Sequence, residues 1–470
     1  MLSLKKWAVL VGAVGLAISS TAQVVTYPFP RGLPASADYT VRTGGKEIFA
    51  WGTPAFSLAA FALTGETEVT VTAIRPFKKV VTRPTALGVQ GTVEDNTVRF
   101  RLNRPCQLSV EFYDQLRRPL FLFADPPETN VPKPGDPNVR YFAGGQVHEA
   151  GEIQLRNGQT VYLAPGAVVR GIIQASGVTG ARVIGRGILD ATTRTNKLQF
   201  VTLTSCTNIE MNGVIVLGSF GWTLVPKLCE DIRFRHVKVA SWRDNDDGLD
   251  IVSSRHVTVE NCFFRTKDDC ISVKAFGDSL AYSDLRTSTR KTAGQEDESA
   301  ADRTGYADVQ DVRVRDSVFW NAEWGNALEI GYELRTARVR DLVFQNCDII
   351  REERGAAISI HNGDIAAVEN ARFEDIRIED ATGKLLDLRV GLSIYSEDCP
   401  YEFSRKNPKR KRASGGAWLL PGDEPPAAHA KFRGSIRNVH LKDVHITAAK
   451  MPPSVIQGYS PGSEVSDVTF

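Results

Sequence analysis

Two short acidic segments contain the densest chemistry in this sequence of 470 residues. They are residues 245–250, NDDGLD, and residues 267–271, KDDCI, and Asp247 and Asp268 are 21 positions apart. Carboxylates that lie close together raise one another's pKa, so that one stays protonated while its neighbours ionise. A neighbouring acid and base is what hydrolysis of a glycosidic bond requires. Asp and Asn also stabilise turns, and clustered carboxylates also bind calcium, so these residues leave a structural turn and a calcium site open as alternatives.

A degenerate repeat predicts that the two segments are stacked in space. Units of alternating polar and apolar residues begin at Asn208, Asp231, His256, Asp311, Asp341, Asn370 and Asn438. The first apolar positions of the first three units, 209, 232 and 257, are 23 and 25 residues apart, and the two long gaps contain insertions at 276–306 and 383–433. Short β units with this period predict a right-handed parallel β-helix, whose rungs are about 4.8 Å apart; a propeller fits the spacings less well. Since 21 residues are about one rung, Asp247 and Asp268 should lie one above the other.

The chain ahead of the solenoid divides into three parts. Residues 1–22 begin with Lys5 and Lys6, continue with a short apolar run and end in small residues, which predicts a secretory signal peptide. Residues 23–125 alternate apolar and polar positions, which predicts a small antiparallel β-sandwich. Residues 126–138 are rich in proline and predict a stiff linker. The β-helix then covers residues 139–470, and because the sequence stops within another repeat we expect the solenoid to continue beyond Phe470.

Composition and charge exclude several classes of protein. With 42% hydrophobic and 24% charged residues, the chain is neither disordered nor collagen-like. The formal net charge of +2 falls to zero once Lys5 and Lys6 are removed, so a nucleic-acid partner is not expected. The apolar run near the start is too short to span a membrane. We therefore expect a secreted or periplasmic monomer.

The sequence has no CxxC pair and no HExxH motif, so its seven cysteines do not predict a zinc site. Whether any of them form a disulfide is a separate question. Cys206 and Cys229 each lie three residues before an apolar repeat position, on consecutive rungs. Stacking would place their Cα atoms about 5 Å apart, within the range of a disulfide. Two buried thiols in a ladder are the alternative.

The acidic segments resemble the active-site motif of polygalacturonases, glycoside hydrolase family 28. The family pattern N-x-D-G-x-D, followed 21 residues later by D-D-C, corresponds here to Asn245, Asp247, Gly248 and Asp250 and then to Asp268, Asp269 and Cys270. Residues 219–224, SFGWTL, resemble the family's S-P-x-W-T-L rung. The sandwich and residues 320–331 look more like the related family 49 of dextranases and isopullulanases. The similarity to family 28 spans roughly residues 140–380, and both families share the parallel β-helix.

The resemblance implies an inverting hydrolase of an α-linked polysaccharide that needs no cofactor and no metal. Asp268 would be the general acid that protonates the leaving oxygen, and Asp247 and Asp269 would hold and deprotonate the attacking water. Room for that water implies an acid-to-base separation of roughly 6.5–9.5 Å. Because consecutive strand residues point in opposite directions, Asp268 and Asp269 can share a cleft only where the strand bends. Asp250 would orient the other carboxylates or contact the substrate.

Two departures from the family pattern bear on the substrate. The family's G-H-G-x-S-I-G appears as GNALEIG at 325–331, with Asn326 in place of the histidine. Its R-I-K, whose two cations hold a galacturonate carboxylate, appears as AIS at 357–359. Without these cations we expect a neutral sugar at the cleavage point, as in rhamnogalacturonan or an α-glucan. The basic segment RKNPKRKR at 405–412 is either a solvated loop or a contact to acidic sugars in distal subsites.

Further candidates for substrate contact lie near the predicted cleft. They are Lys274, Asn326, His361 and Trp324, with Trp242 and Trp320 as other tryptophans and Glu329 and Glu333 as other carboxylates. Aromatic faces suit the C–H surfaces of sugars, although burial is the common fate of tryptophan. A β-helix polysaccharide lyase that uses Ca²⁺ and a non-catalytic polysaccharide-binding solenoid are the alternative functions.

Overall fold

The computed structural model describes residues 23–113, 118–276, 308–447 and 450–470. The predicted signal peptide and nearly all of the first predicted insertion, residues 277–306, lie outside the described residues. Within these ranges the regular structure is β, apart from short 3-10 helices at Thr85–Leu87, Pro426–Ala428 and Ala430–Phe432. No helix among the described residues is long and apolar enough to cross a membrane.

The first strands form two facing sheets. They are β1 (Gln23–Thr26), β2 (Tyr39–Thr43), β3 (Lys46–Ile48), β4 (Ala50–Gly52), β5 (Ser57–Thr64), β6 (Thr67–Ala73), β7 (Lys79–Arg83), β8 (Thr92–Glu94), β9 (Thr97–Leu102), β10 (Cys106–Tyr113) and β11 (Leu120–Asp125). One sheet has the order β1-β5-β11-β10-β7 with β4 beside β5, and the other has the order β3-β2-β6-β9-β8. Alternate residues such as Val71 and Leu108 are buried between the sheets, as the period-2 pattern predicts. The sequence predicted an antiparallel sandwich, but one pair of neighbouring strands, β5 and β11, is parallel.

The remaining strands form one continuous parallel sheet that is wound into a β-helix. They are β12 (Val139–Phe142), β13 (Val147–Gln154), β14 (Thr160–Leu163), β15 (Val168–Ser176), β16 (Arg182–Gly185), β17 (Ile188–Asp190), β18 (Val201–Thr204), β19 (Thr207–Asn212), β20 (Ile215–Leu217), β21 (Leu224–Lys227), β22 (Glu230–Arg235), β23 (Lys238–Ala240), β24 (Leu249–Val252), β25 (Arg255–Glu260), β26 (Phe263–Thr266), β27 (Ile271–Ala275), β28 (Val309–Arg315), β29 (Val318–Asn321), β30 (Leu328–Leu334), β31 (Arg338–Glu352), β32 (Ala356–Asn362), β33 (Ala367–Ile378), β34 (Lys384–Val390), β35 (Ser435–Ile446), β36 (Ser454–Gln457) and β37 (Val465–Thr469). Most strands pair with the strand two or three positions later, so each rung lies directly on the previous one.

The register of this helix follows the sequence repeat. The first apolar residues of the repeats pair in one column of Ile209, Ile232, Val257, Val312, Leu342, Ala371 and Val439. All of them lie in the core of the helix. The predicted parallel β-helix is confirmed, and the repeat fixes its register because a slip of one residue would turn these side chains outward.

Each repeat begins at a corner of its rung. The residues that start the repeats have φ angles between 53° and 59° at Asn208, Asp231, His256, Asp311, Asp341, Asn370 and Asn438. This is the left-handed region, which Asn and Asp tolerate because their short polar side chains bond locally. Stacked side chains also bond to one another, since Asn438 donates to Asn370 (2.6 Å) and Asn370 donates to Asp341 (2.9 Å). The polar residue that begins the repeat therefore turns the chain.

The second predicted insertion starts later than the sequence indicated. Lys384–Val390 forms β34, which pairs with β32, so the chain leaves the solenoid at Gly391 and returns at Ser435. Leu386 and Leu388 of this strand lie in the core. The start was misplaced because the repeat was identified on only one of the strands of each rung. We refer to residues 391–434 as the second insertion.

Cys206 and Cys229 are buried thiols on neighbouring rungs, and they do not form a disulfide in this structure. The backbone N–H of Cys206 donates to Sγ of Cys229 over 3.4 Å. Each thiol donates to a nearby carbonyl, that of Cys206 to Thr204 (3.3 Å) and that of Cys229 to Lys227 (3.2 Å). All seven cysteines are described, and all are free. Of the two arrangements that the sequence allowed, the structure therefore contains stacked, buried thiols and not a disulfide.

The sandwich packs on the side of the β-helix through an aromatic interface. Phe56 and Phe121 of the sandwich contact Trp242 (5.6 Å between ring centroids) and Trp320 (5.5 Å) of the solenoid. These two tryptophans therefore serve the junction between the sheets and the helix and do not face the carboxylates. Of the three candidate tryptophans, these two do not line the cleft, and sequence proximity to the motifs could not reveal on which face of the rung each one lies.

A buried ion pair also crosses this junction. The ammonium group of Lys238, on the β-helix, is fully buried and bonds to Asp125 at the end of β11. The same carboxylate accepts a hydrogen bond from the hydroxyl of Tyr27 (3.1 Å) and lies 3.9 Å from the guanidinium of Arg186. Burying the charge of Lys238 costs free energy, and the opposite charge of Asp125 offsets that cost.

We expect Asp125→Ala to destabilise the protein by about 3–5 kcal/mol, because it leaves Lys238 buried without a counter-charge. Denaturation in urea, followed by fluorescence, measures the loss. The matched control is Glu94→Ala, which removes the exposed partner of Arg99 (side chains 72% and 41% exposed) and should cost about 1 kcal/mol or less. Equal losses in the two variants would contradict the role assigned to the buried pair.

Candidate active site

The two acidic segments lie in turns on adjacent rungs. Asp247 comes just before β24, and Asp268 and Asp269 connect β26 to β27. Strands β24 and β27 pair in register, and the N–H of Gly248 donates to the carbonyl of Asp269 (2.8 Å). Leu249 pairs with Ile271, so this rung is 22 residues long and Asp247 is in register with Asp269. The two acidic segments are therefore one rung apart, and the bend expected between Asp268 and Asp269 is this turn.

Asp246 holds the turn in position, and sequence analysis did not single it out. Its buried carboxylate accepts hydrogen bonds from the N–H groups of Lys267 (2.8 Å) and Asp268 (3.0 Å). On the next rung Gly325 has a φ of 67°, and a Cβ there would lie 2.3 Å from the backbone nitrogen of Asp269. Only glycine permits that approach. The acidic doublet at 246–247 was the only sequence signal for this contribution of Asp246.

The three predicted catalytic carboxylates converge on one point. Asp247, Asp268 and Asp269 each place an oxygen within 4.8 Å of the oxygens of the other two. These oxygens are closer together than the expected separation of roughly 6.5–9.5 Å between acid and base, because the spacing between rungs sets the distances in the cluster. One water that accepts or donates bonds of about 2.8 Å to two carboxylates spans about 4.5 Å. The cluster can thus share a single bound water. Asp268 is the most exposed of the three.

The ammonium group of Lys274 partly neutralises the negative charge of the cluster. Its ammonium group lies 3.2 Å from Asp247 and 2.5 Å from Asp250, and all three side chains are buried. The same group lies 4.0 Å from the ring centroid of Trp222, which shields it further. Lys274 and Asp250 are therefore committed to the carboxylate cluster, and their prediction as direct substrate contacts is not supported. An ammonium group already bound to Asp247 also disfavours a calcium ion at this point.

Burial and the charges of neighbouring groups raise the pKa values of Asp268, Asp269 and Asp250. Burial, followed by the charges of Asp247 and Asp246, raises the pKa of Asp268 to about 7. Burial, followed by the charges of Asp268 and Asp247, raises the pKa of Asp269 well above its ordinary range. The pKa of Asp250 is also raised, mainly by burial. A group with a pKa near 7 at a partly exposed position has the properties of a general acid.

Asn326 ties the cluster to a second buried network. Its N–H (2.7 Å) and its side-chain amide (3.2 Å) both donate to one oxygen of Asp269, and the amide also donates to Glu329 (2.9 Å). Glu329 is fully buried and bonds to His361 (3.0 Å), which lies 3.3 Å from Asp387 on its other side. Although burial lowers it, these two carboxylates raise the pKa of His361 to about 9. Asn326 therefore contacts a catalytic candidate directly, whereas His361 is separated from the cluster by Glu329.

Trp324 lies on the rim of the site. Its side chain is 51% exposed, and the guanidinium of Arg354 lies 5.5 Å from the centre of its ring. The backbone N–H of Trp324 donates to the carbonyl of Lys267 (2.7 Å). Because Lys267 directly precedes Asp268, the backbone of Trp324 is close to the cluster, and its exposed ring is accessible to a sugar. Of the three predicted tryptophans, Trp324 is the one that the structure leaves on the surface.

Two cations from distant parts of the chain lie near the carboxylates. The guanidinium of Arg405, in the second insertion, lies 5.1 Å from the ring centroid of Tyr395, and Lys197 lies 5.9 Å from that of Phe220. Burial and the charge of Arg405 lower the pKa of Lys197, whereas Asp247 and Asp268 act in the opposite direction. The charges of Lys197 and Arg405 therefore act on one another beside the carboxylates. Lys197 and Tyr395 were missed because neither lies in a repeat or a motif.

Comparison with known proteins supports the resemblance inferred from the motifs. The model of glycosyl hydrolases family 28 matches residues 170–387, which confirms the resemblance to that family over this part of the chain. A polygalacturonase of Juniperus ashei is 23% identical over 33% of this chain and 31% of its own, and one of Chamaecyparis obtusa is 29% identical over 17% and 16%. The chain thus matches less than a third of the length of these curated relatives. Dex49A from Penicillium minioluteum has the same overall fold, with a TM-score of 0.51 and 11% identity over 94% of this chain and 96% of that one.

We expect Asp268→Asn to raise the melting temperature at pH 8 but not near pH 4. The folded pKa of about 7 exceeds the ordinary value of about 3.9, so Asp268 contributes stability below pH 4 that is lost as the pH rises through 7. An amide cannot ionise and avoids this loss. Calorimetry at both pH values measures the effect, with Glu66→Gln, at an exposed carboxylate, as the control. A melting temperature that is unchanged or lower at pH 8 would contradict the clustering of charge.

Proposed function

We propose that the protein is a glycoside hydrolase that cleaves an α-linked polysaccharide by a single displacement. In this mechanism Asp268 protonates the leaving oxygen, and Asp247 and Asp269 bind and deprotonate the attacking water. The observation that carries the proposal is the convergence of the three carboxylates within 4.8 Å at a partly exposed point. The match to the family 28 model over residues 170–387 supports the same reaction class.

The neighbouring groups suit these assigned roles. Asp268 has no Lys or Arg bonded to its side chain among the described residues, and its raised pKa keeps the proton that an acid must deliver. A base must be ionised before it takes the proton of the water and becomes neutral. Asp247 bonds to the ammonium group of Lys274, and Asp269 accepts two hydrogen bonds from Asn326; an opposite charge and donated hydrogen bonds both favour the ionised form, against the burial that raises the pKa of Asp269. The environments of the three groups are therefore different enough to divide acid from base.

We propose a pectin-type polysaccharide as the substrate, with a neutral sugar at the cleavage point and an acidic sugar nearby. Ala357 and Ser359 leave the cleavage point without the cation pair that holds a uronate. Lys197 and Arg405 near the cluster provide positive charge for a neighbouring carboxylate. Rhamnogalacturonan, in which the two kinds of sugar alternate, fits this arrangement better than an α-glucan, which has no carboxylate. We also propose export from the cytoplasm, on the basis of residues 1–22.

A panel of polygalacturonan, rhamnogalacturonan and α-glucans, scored for new reducing ends, tests the reaction and the substrate. We expect release from rhamnogalacturonan, activity that declines above about pH 7 as Asp268 ionises, and a loss of about 10²–10⁴-fold in Asp268→Asn. Glu66→Gln is again the control. Unsaturated products that absorb ultraviolet light and depend on calcium would indicate a lyase. Binding without any hydrolysis would indicate a carbohydrate-binding solenoid.

The stereochemistry of the product tests the single displacement. We expect the first hemiacetal to have the β configuration, because one attack by water on an α linkage inverts the anomeric carbon. Proton NMR during the first minutes of hydrolysis, before mutarotation, identifies it. An α product would show that one carboxylate acts as a nucleophile, which the short separation of the cluster also allows.

A further inference from the structure

One outward face of the β-helix runs past the cluster and is buried over several rungs. One column of side chains runs along it in register: Asp250, Ser272, Glu329, Ser359 and Asp387, from β24, β27, β30, β32 and β34. At β27 this column borders Asp268 and Asp269. All five side chains of this column are at most 1% exposed, and His361 on β32 is 2% exposed. Something must therefore lie on this part of the face.

Three aromatic rings form the cover. Tyr332 stacks on His361 with 4.5 Å between ring centroids, and Tyr395 (4.9 Å) and Trp418 (5.2 Å) pack against Tyr332. Trp418 also contacts His361 edge-on at 5.5 Å. Tyr395 and Trp418 both belong to the second insertion, residues 391–434. This segment therefore crosses the face of the solenoid just beyond the carboxylates. We call these three rings the aromatic wall.

Buried polar bonds join the two ends of the second insertion, and others fasten it to the solenoid, including one from Arg433 to the carbonyl of Gly363. Arg433 donates to the carbonyl of Gly391 (2.9 Å) and the hydroxyl of Ser396 (3.0 Å), and it also bonds to Asp398. From the solenoid, Arg335 donates to the carbonyl of Tyr395 (2.7 Å). These bonds join both ends of the segment and hold the backbone of Tyr395, so the aromatic wall has a fixed position.

The part of the aromatic wall nearest the carboxylates is close enough to them to contact a bound sugar. The charges of Asp268 and Asp269 act on the hydroxyl of Tyr395, and Arg405 lies 5.1 Å from the same ring. The strand that follows Asp268 is β27 and the wall covers β32, which is two rungs further, or about 10 Å. A polysaccharide that lies along the face can therefore extend only a short distance past the cluster in this direction.

We propose that the aromatic wall closes the groove, so that the enzyme removes short units from a chain end and does not cut within the chain. This inference rests on the proposed function and adds the mode of attack to it. Tyr395 and Arg405 are the residues that contact the terminal unit. The remaining polymer leaves the site in the other direction, away from the wall.

The wild-type protein tests this proposal without any substitution. Size-exclusion chromatography of the polymer and an assay of reducing ends are followed together on the best substrate of the panel. We expect reducing ends and small products to accumulate while the polymer keeps more than about 90% of its size in the first 5% of cleavage. An oligosaccharide blocked at both ends should react at least 10-fold more slowly than the free one. Rapid loss of polymer size, or equal rates on blocked and free oligosaccharides, would overturn the proposal.

Opening the wall provides a second test. We expect Tyr395→Ala and Trp418→Ala to raise the ratio of internal to terminal cleavage at least 5-fold. Tyr401→Ala is the matched control, because Tyr401 belongs to the same insertion and is 67% exposed. A ratio that stays unchanged in soluble, folded variants would contradict the wall as the cause of terminal cleavage. If the wild type hydrolyses no polysaccharide at all, the proposed function itself fails, which is a different result from internal cleavage.

Discussion

The vertical register of the parallel sheet is the constraint on which the site depends. Asp247 and the pair Asp268–Asp269 meet because β24 and β27 pair residue for residue across one rung. The same spacing also limits how far apart the carboxylates can be, and it brings them within 4.8 Å. In most folds such a concentration of like charge would be relaxed by side-chain movement. Here each carboxylate belongs to a different position of a rigid stack, so the repulsion persists and appears as raised pKa values.

The surrounding polar groups make that concentration of charge tolerable. Lys274 supplies one positive charge to Asp247 and Asp250, and Asn326 supplies two hydrogen bonds to Asp269. Asn326 also connects the cluster to Glu329, whose negative charge is balanced by protonated His361. The site is therefore part of a continuous buried network over several rungs. Its central group, Asp268, is the one left accessible to a substrate.

Two additions outside the regular rungs shape what the rungs can do. The sandwich packs through Phe56 and Phe121 on one side of the helix and is fastened there by Asp125 and Lys238. The second insertion covers a different region, beyond the carboxylates, through Tyr395 and Trp418. The solenoid alone would present an open face along its whole length. In both additions, aromatic side chains provide the contact and buried charged groups fix the position.

The sequence by itself determined the β-helix, its register and the approach of the two acidic segments, because these depend on a local period that repeats along the chain. The polar residue at each corner and the apolar residue that follows it were sufficient to align Ile209, Ile232 and Val257. Only the tertiary structure decided which way each neighbouring side chain points. Trp242 and Trp320 turn to the sandwich, Trp324 stays on the surface, and Tyr395 reaches the site from more than 120 positions away. These choices depend on packing between segments that are distant in sequence, for which a repeat contains no signal.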